Sequence, residues 1–371
     1  MSTISQFKIA IPQSDLDDLN ARLRQTRFVS ELPDGNDDAG LRLDYITRLV
    51  DFWRDEYDWR SVEARLNQLP QYTTLIDGQR VHFVHVKSAE LGARALLLTH
   101  GWPTTFVEYA DVIDRLTNPE AHGGNADDAF HVVIPSIPGF GFSGPTTEAG
   151  WNRHRVARAW KELMRRLGYD RYIAAGNDVG SLVSPEVGRA DPDHVMGVHV
   201  TQIFSFPSGD PAELARLTPE EHEQLKVLQW FEASMNGYQK LQQTKPQNIG
   251  HALADSPVGQ LAWSAQLFGE VVTPEFIITN VMIYWLTNTG ASSARIYYED
   301  AHAADVPSTP TEVPIGLSNF AWDFQSIRSL AERDHSNIVF WNRHQVGGHF
   351  ATQMTPDLWV EDMRQFARLV R

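Results

Sequence analysis

The chain of 371 residues contains no cysteine. That excludes disulfides, thiolate catalysis and cysteine-based metal sites, although it does not fix the compartment. Nowhere does the sequence run through the roughly 20 apolar residues that a membrane-spanning helix needs. The start, MSTISQFKIAIPQSD, has no basic segment followed by an apolar one, so no signal peptide is expected. Positive charge is scarce as well: 32 Lys and Arg against 47 Asp and Glu give a formal charge of −15. Such a balance argues against nucleic acid and anionic membranes, because neutralising phosphates takes concentrated Lys and Arg. A cytoplasmic protein with no membrane anchor is the expectation. Apolar residues, in contrast, are plentiful: 42% of the chain, with 11 Trp, 10 Tyr and 18 Phe, supports a sizeable core and an aromatic-lined cavity.

Residues 1–75 read as a peripheral helical extension. Ser14 with Asp17 has the spacing of a capping box, and Leu16, Leu19 and Leu23 then line one face. A Gly/Asp-rich turn over 33–40 separates this helix from a second at 43–57. From about residue 78 the texture changes to short β-rich runs at 81–86, 95–99, 132–135, 172–176 and 195–200. Val156, Trp160, Leu163 and Leu167 fall at helical spacing between two of them. Strand, helix, strand in that order predicts a mostly parallel sheet covered by helices, hence an α/β fold. Residues 206–304 interrupt the alternation with helical patterns, prolines and aromatics, and a proline-rich segment, 307–314, closes the interruption. Two final strands are predicted at 313–317 and 337–341, then a helix beginning at Pro356. The economical division is a core of 76–205 plus 305–371 with a helical cap, 206–304, inserted in it.

The chemistry-bearing residues sit just after the predicted strands. The run 172–176 leads into Gly176-Asn177-Asp178-Val179-Gly180, a glycine-flanked elbow with a carboxylate at its apex. An aspartate there is a nucleophile that leaves an alkyl ester; a plain turn aspartate is the bland alternative. Asp323 and His349 follow the last two strands, giving the chain order nucleophile, acid, base. His349 is suited to take a proton from water, and Asp323 to hold the imidazole tautomer. Asp210, after an earlier strand, is the rival acid, whereas Glu332 and Asp334 read as a solvated helix end. The run His100-Gly101-Trp102-Pro103 offers the backbone N–H of Trp102, which with that of Val179 can face a developing oxyanion. It also reads simply as a rigid turn, with Pro103 a candidate for a cis bond. Residues 138–143 read as a second loop at the sheet end, rimming the pocket. His82 and His85 alternate like a strand surface and, with His131, His199 and His302, form no metal-site grouping. G-x-G-x-x-G with an acidic ribose contact is absent, so no nucleotide cofactor is expected.

Taken in order, these motifs resemble the microsomal-type branch of the epoxide hydrolases, within the α/β-hydrolase superfamily. The likeness runs from FKIAIPQSDLDDLNARLRQTRF through HGWP, PGFGFS, the Asp-bearing elbow and the cap segments to GGHFA. It implies an α/β-hydrolase fold, a small-molecule epoxide and water as reactants, a diol product and no cofactor or metal. It also implies two cap tyrosines that bind the epoxide oxygen: Tyr238 in GYQK and Tyr297 in RIYYE, with Tyr298 adjacent to the latter. The family pattern favours Asp323, in FAWDF, over Asp210, although glutamate is common at that place. Asn177 and Thr104 stand where relatives commonly have glycine, and Val179 where many have tryptophan. Because Val179 has no indole N–H, it disfavours halide chemistry on the same scaffold while leaving its backbone donor intact. An inactive scaffold that only binds, and a homodimer, remain open from sequence.

Overall fold

The computed structural model describes residues 3–31, 39–304, 307 and 309–370. Most of the turn predicted at 33–40, and part of the proline-rich segment 307–314, lie outside the described residues. A nine-stranded sheet organises the chain, in the order β1-β2-β3-β5-β4-β6-β7-β8-β9. These strands are β1 Ser5–Phe7, β2 Gln71–Ile76, β3 Gln79–Val86, β4 Arg94–Thr99, β5 Phe130–Pro135, β6 Tyr172–Gly176, β7 Val195–Val200, β8 Ile315–Asn319 and β9 Ile338–Arg343. The first pairings are antiparallel, and everything from β5 through β4 to β9 is parallel. The extension, read from sequence as helical, therefore also supplies β1 and most of β2. Three residues of β1 are too few to show a strand period.

Period-two alternation puts the two sides of each strand into different apolar layers. Leu96 and Leu98 of β4 join the layer under the N-terminal helices and the last helix, Pro356–Leu369. Ala95 and Leu97 join the opposite layer, against helices Arg153–Leu167 and Val179–Ala190. This two-sided cover also decides His82. It sits on β3 between β2 and β5, fully buried, with its ring bonded to Ser136 Oγ at 2.9 Å and Gln71 Oε1 at 3.0 Å. The strand-surface reading of His82 is thus corrected: the rings of Phe7, Phe106 and Phe142 cover this position of the strand.

The first helix runs Gln13–Arg24 and buries Leu16, Leu19 and Leu23, but it begins one residue before Ser14. Pro12 stands at the cap with no side-chain cap bond, so the Ser14–Asp17 capping box does not form. The extension then packs on helix Pro274–Leu286, through Trp53 Nε1 to Met282 Sδ at 3.1 Å and Tyr57 to Thr279 at 3.0 Å. Between β7 and β8 the described chain is helical from Pro211–Leu214 to Gly290–Ala301. Its final helix is tied to the sheet-end loop over 138–143, with Ser292 Oγ donating to Gly139 O at 2.5 Å and Gly141 N donating to Thr289 Oγ1 at 3.0 Å.

Candidate active site

Parallel strands place their carboxyl ends along one edge of the sheet, where ligands of open α/β sheets bind. Here β4, β6, β7, β8 and β9 are successive neighbours, and Trp102, Asp178, Gln202, Asp323 and His349 follow within six residues of their respective ends. The elbow after β6 is the sharpest feature. Asp178 has φ 54° and ψ −116°, a region a non-glycine residue occupies only under constraint. The flanking glycines permit the turn: a Cβ on Gly176 would lie 2.3 Å from the Gly180 carbonyl carbon, and one on Gly180 1.9 Å from Thr99 O. Asp178 is thereby lifted to the head of helix Val179–Ala190.

The loop after β4 supplies the first contact. Trp102 N donates to Asp178 Oδ1 at 2.9 Å, and the Trp102–Pro103 peptide is cis. Val179 N–H also acts on the carboxylate. With Oδ1 held in this way, Oδ2 is left facing His349 Nε2 at 3.8 Å. His349 Nδ1 lies 2.8 Å from Asp323 Oδ1, which also accepts from Phe324 N at 2.7 Å. Strand β8 ends two residues later than predicted, so Asp323 stands only four residues past its end. Asp210 lies elsewhere, capping Pro211–Leu214 by accepting from Ala212 N at 2.9 Å.

Burial pushes the Asp178 carboxyl above its ordinary range, against the pull of His349 and the two backbone N–H groups. For His349 burial works downward, but the carboxylates of Asp323, Asp178 and Glu108 outweigh it and raise the imidazole to about 9. A carboxyl and an imidazole, both raised above their ordinary range, thus face each other across 3.8 Å.

Above the carboxylate the helical segment contributes two phenols. Tyr238, on helix Gly237–Thr244, stacks on Trp102 with centroids 5.5 Å apart at 10°. Tyr297, on Gly290–Ala301, meets the edges of Trp102 at 6.1 Å and of Tyr238 at 6.0 Å. Burial, reinforced by the Asp178 charge, raises both phenols above their usual range. The two hydroxyls are close enough to affect one another's ionisation, yet Tyr297 Oη has no partner of hydrogen-bond geometry. Tyr298 points away: it is 38% exposed and stacks on His302 at 4.0 Å. The structure therefore gathers Asp178, His349, Asp323, Trp102, Val179, Tyr238 and Tyr297, and leaves Asp210 and Tyr298 apart.

Two members of this neighbourhood are not apparent from the sequence patterns. Gln202, fully buried just beyond β7, accepts at Oε1 from Asp178 N at 2.8 Å and donates from Nε2 to Asp323 Oδ2. Glu108 is buried under the loop after β4. The available signals were slight: a glutamine at a strand's carboxyl end, and an acid inside the apolar run Phe106-Val107-Glu108-Tyr109.

A mostly parallel sheet, a strained strand-to-helix elbow and an acid and a histidine on later sheet-end loops define an α/β-hydrolase fold, and the family described as "alpha/beta hydrolase fold" matches residues 94–255. The family described as "Epoxide hydrolase N terminus" matches residues 4–109. A Stigmatella aurantiaca protein whose name places it among the epoxide hydrolases is 41% identical over 99% of this chain and 86% of its own. Epoxide hydrolase 1 of Sus scrofa is 30% identical over 99% of this chain and 89% of its own. The solved Aspergillus niger epoxide hydrolase superposes with a TM-score of 0.87 at 30% identity, covering 100% of this chain and 97% of that one. The chain belongs to the epoxide hydrolase family, hydrolases that act on an ether bond. Among the described residues no helix is long and apolar enough to cross a membrane.

Proposed function

We propose that the chain opens an epoxide to a vicinal diol through a covalent ester on Asp178. Oδ2, the oxygen not held by Trp102 N–H, attacks an epoxide carbon, and the C–O bond breaks with its electrons on oxygen. Tyr238 and Tyr297 donate to that alkoxide. Their raised pKa values keep both phenols protonated until a far stronger base appears beside them. In the ester, Oδ1 is the carbonyl oxygen, already met by the Trp102 N–H, and the Val179 N–H, which acts on the same carboxyl group, is the second donor. His349 Nε2 removes a proton from water, Asp323 supports the resulting imidazolium, and hydroxide adds to the ester carbon. Collapse breaks the ester C–O bond, and the departing alkoxide takes the proton from the His349 imidazolium to complete the diol. The new Asp178 carboxyl returns its proton to the tyrosinate, which restores the carboxylate, the neutral base and both phenols.

The observation that carries this reading is the Tyr297 hydroxyl, buried without a partner beside the Asp178 carboxylate. A buried donor left unsatisfied costs about 1–3 kcal/mol, and a ligand oxygen in this place would satisfy it. The reading assigns residues 1–75 to an extension, 76–205 plus 305–371 to the catalytic core and 206–304 to a lid. It places the enzyme in the cytoplasm with epoxide and water as its reactants. A single turnover in ¹⁸O water tests the route. Label is expected in Asp178 and not in the first diol, which takes its second oxygen from the carboxylate; solvent label in that first diol contradicts the ester. Asp178→Asn should abolish turnover.

A further inference from the structure

The mechanism leaves one buried acid without a task. Glu108 is 1% exposed, on the turn Phe106–Val112. Its Oε1 accepts from Asn177 Nδ2 at 2.8 Å. Its Oε2 is reached by Thr104 Oγ1 and, at 3.4 Å, by Gly101 N. Gly101 immediately precedes Trp102, and Asn177 immediately precedes Asp178. One carboxyl thus grips the residue before an N–H donor and the residue before the nucleophile. The backbone carbonyl of Glu108 also accepts from Thr352 Oγ1 at 2.8 Å and Gln353 Nε2 at 3.2 Å, shortly beyond His349.

The connection continues under the site. Asn177 Oδ1 accepts from Gln202 Nε2 at 2.7 Å, and the same amide donates to Asp323 Oδ2, whose partner oxygen meets His349 Nδ1. The two residues that depart from the family's glycines, Thr104 and Asn177, therefore both spend a donor on Glu108. An acid buried among neutral donors is costly to keep, and packing alone would be served as well by an amide or an apolar side chain. The contacts also persist in either protonation state. Ionised, Glu108 accepts from Thr104; protonated, it donates to Thr104, whose own proton turns to Gly101 O at 3.0 Å.

We propose that Glu108 is a positioning residue for ester hydrolysis: through Gly101 and Asn177 it holds the Trp102 N–H and the Asp178 carbonyl in the geometry of the oxyanion. It anchors the belt that runs through Gln202 to Asp323. The inference rests on the ester mechanism above. Two further facts support it. Burial pushes the Glu108 carboxyl up to about 7, and its charge is one of those that raise His349. The titratable groups facing Glu108 are His349, Tyr109 and Tyr284; those facing His349 are Asp323, Asp178 and Glu108.

The test is acid-quenched single turnover of styrene oxide followed by intact-protein mass spectrometry, for wild type, Glu108→Gln and Glu108→Ala. In Glu108→Ala ester decay should slow about tenfold to a hundredfold, short of complete loss of an oxyanion donor, while ester formation changes far less. The ester then accumulates, and kcat and KM fall together. Glu108→Gln keeps the shape and the Asn177 contact, so decay slows less, but its pH midpoint moves downward because one acid acting on His349 has gone. Wild-type decay with an unmoved midpoint in Glu108→Gln overturns the proposal, as does equal slowing of formation and decay in Glu108→Ala. If Glu108→Ala does not fold, the midpoint of Glu108→Gln decides. Wild-type ester on Asp178 in the same time course keeps the mechanism standing whatever the variants do; its absence overturns the mechanism and this inference together.

Discussion

Replacing Tyr297 by Phe should make the protein more stable and less active. The ring contacts survive the change, since Phe presents the same edges to Trp102 and Tyr238. What disappears is one hydroxyl, buried and without a hydrogen-bond partner. In the folded state it has lost its water and gained nothing, so its removal should stabilise by about 1–3 kcal/mol. A urea titration should register this as a higher midpoint with an unchanged slope. The same hydroxyl should count heavily once the epoxide oxygen takes up charge. Loss of one donor to a developing oxyanion costs about a hundredfold to a thousandfold. Because Tyr238 remains, the lower end is expected, about a hundredfold or roughly 2.7 kcal/mol in the rate of ester formation. Rapid quench on styrene oxide measures that step directly. A variant that is less stable and still forms ester at the wild-type rate would refute both halves of the argument.

Three other outcomes follow from the same geometry. Asp323→Asn should leave ester formation nearly intact but slow decay by on the order of 10³–10⁴-fold, because the amide no longer fixes or supports the His349 imidazolium; quench experiments should then show the ester persisting. Ester decay should need neutral His349 and so fall as pH drops through its pKa. Esterification removes the Asp178 charge, one of three raising that pKa to about 9, so the midpoint of decay should lie below about 9; a decay rate that rises toward acid contradicts the assigned base. Gly180→Ala should destabilise by more than about 3 kcal/mol, since its Cβ would sit 1.9 Å from Thr99 O, and chemical denaturation or loss of folded yield reads this out.

Much of the site was legible because its markers are local. Glycines around an aspartate after an apolar run describe a strand that turns sharply into a helix, and the only information needed lies within a few residues. Asp323 and His349 could be placed at strand ends by the same logic. Their roles drew on chain order, and the tyrosines on family likeness, because one phenol among ten carries no local signature. The strand positions followed from composition, but several of their ends shifted by one or two residues, since pairing with a neighbour sets where a ladder stops.

The sequence by itself determined the elbow, the carboxylate at its apex, the order of the supporting acid and base, and the exclusion of thiol chemistry. Tertiary structure alone decided which face each residue presents. It buried His82 between two strands, turned Tyr297 inward and Tyr298 outward, and brought Glu108 to Asn177 across 69 positions and Gln202 to Asp323 across 121. Short-range periodicity fixes which side chains share a side of one strand or helix. Which strands lie next to one another, and in what register, depends on how the whole apolar surface is covered, and that is a property of the packed sheet.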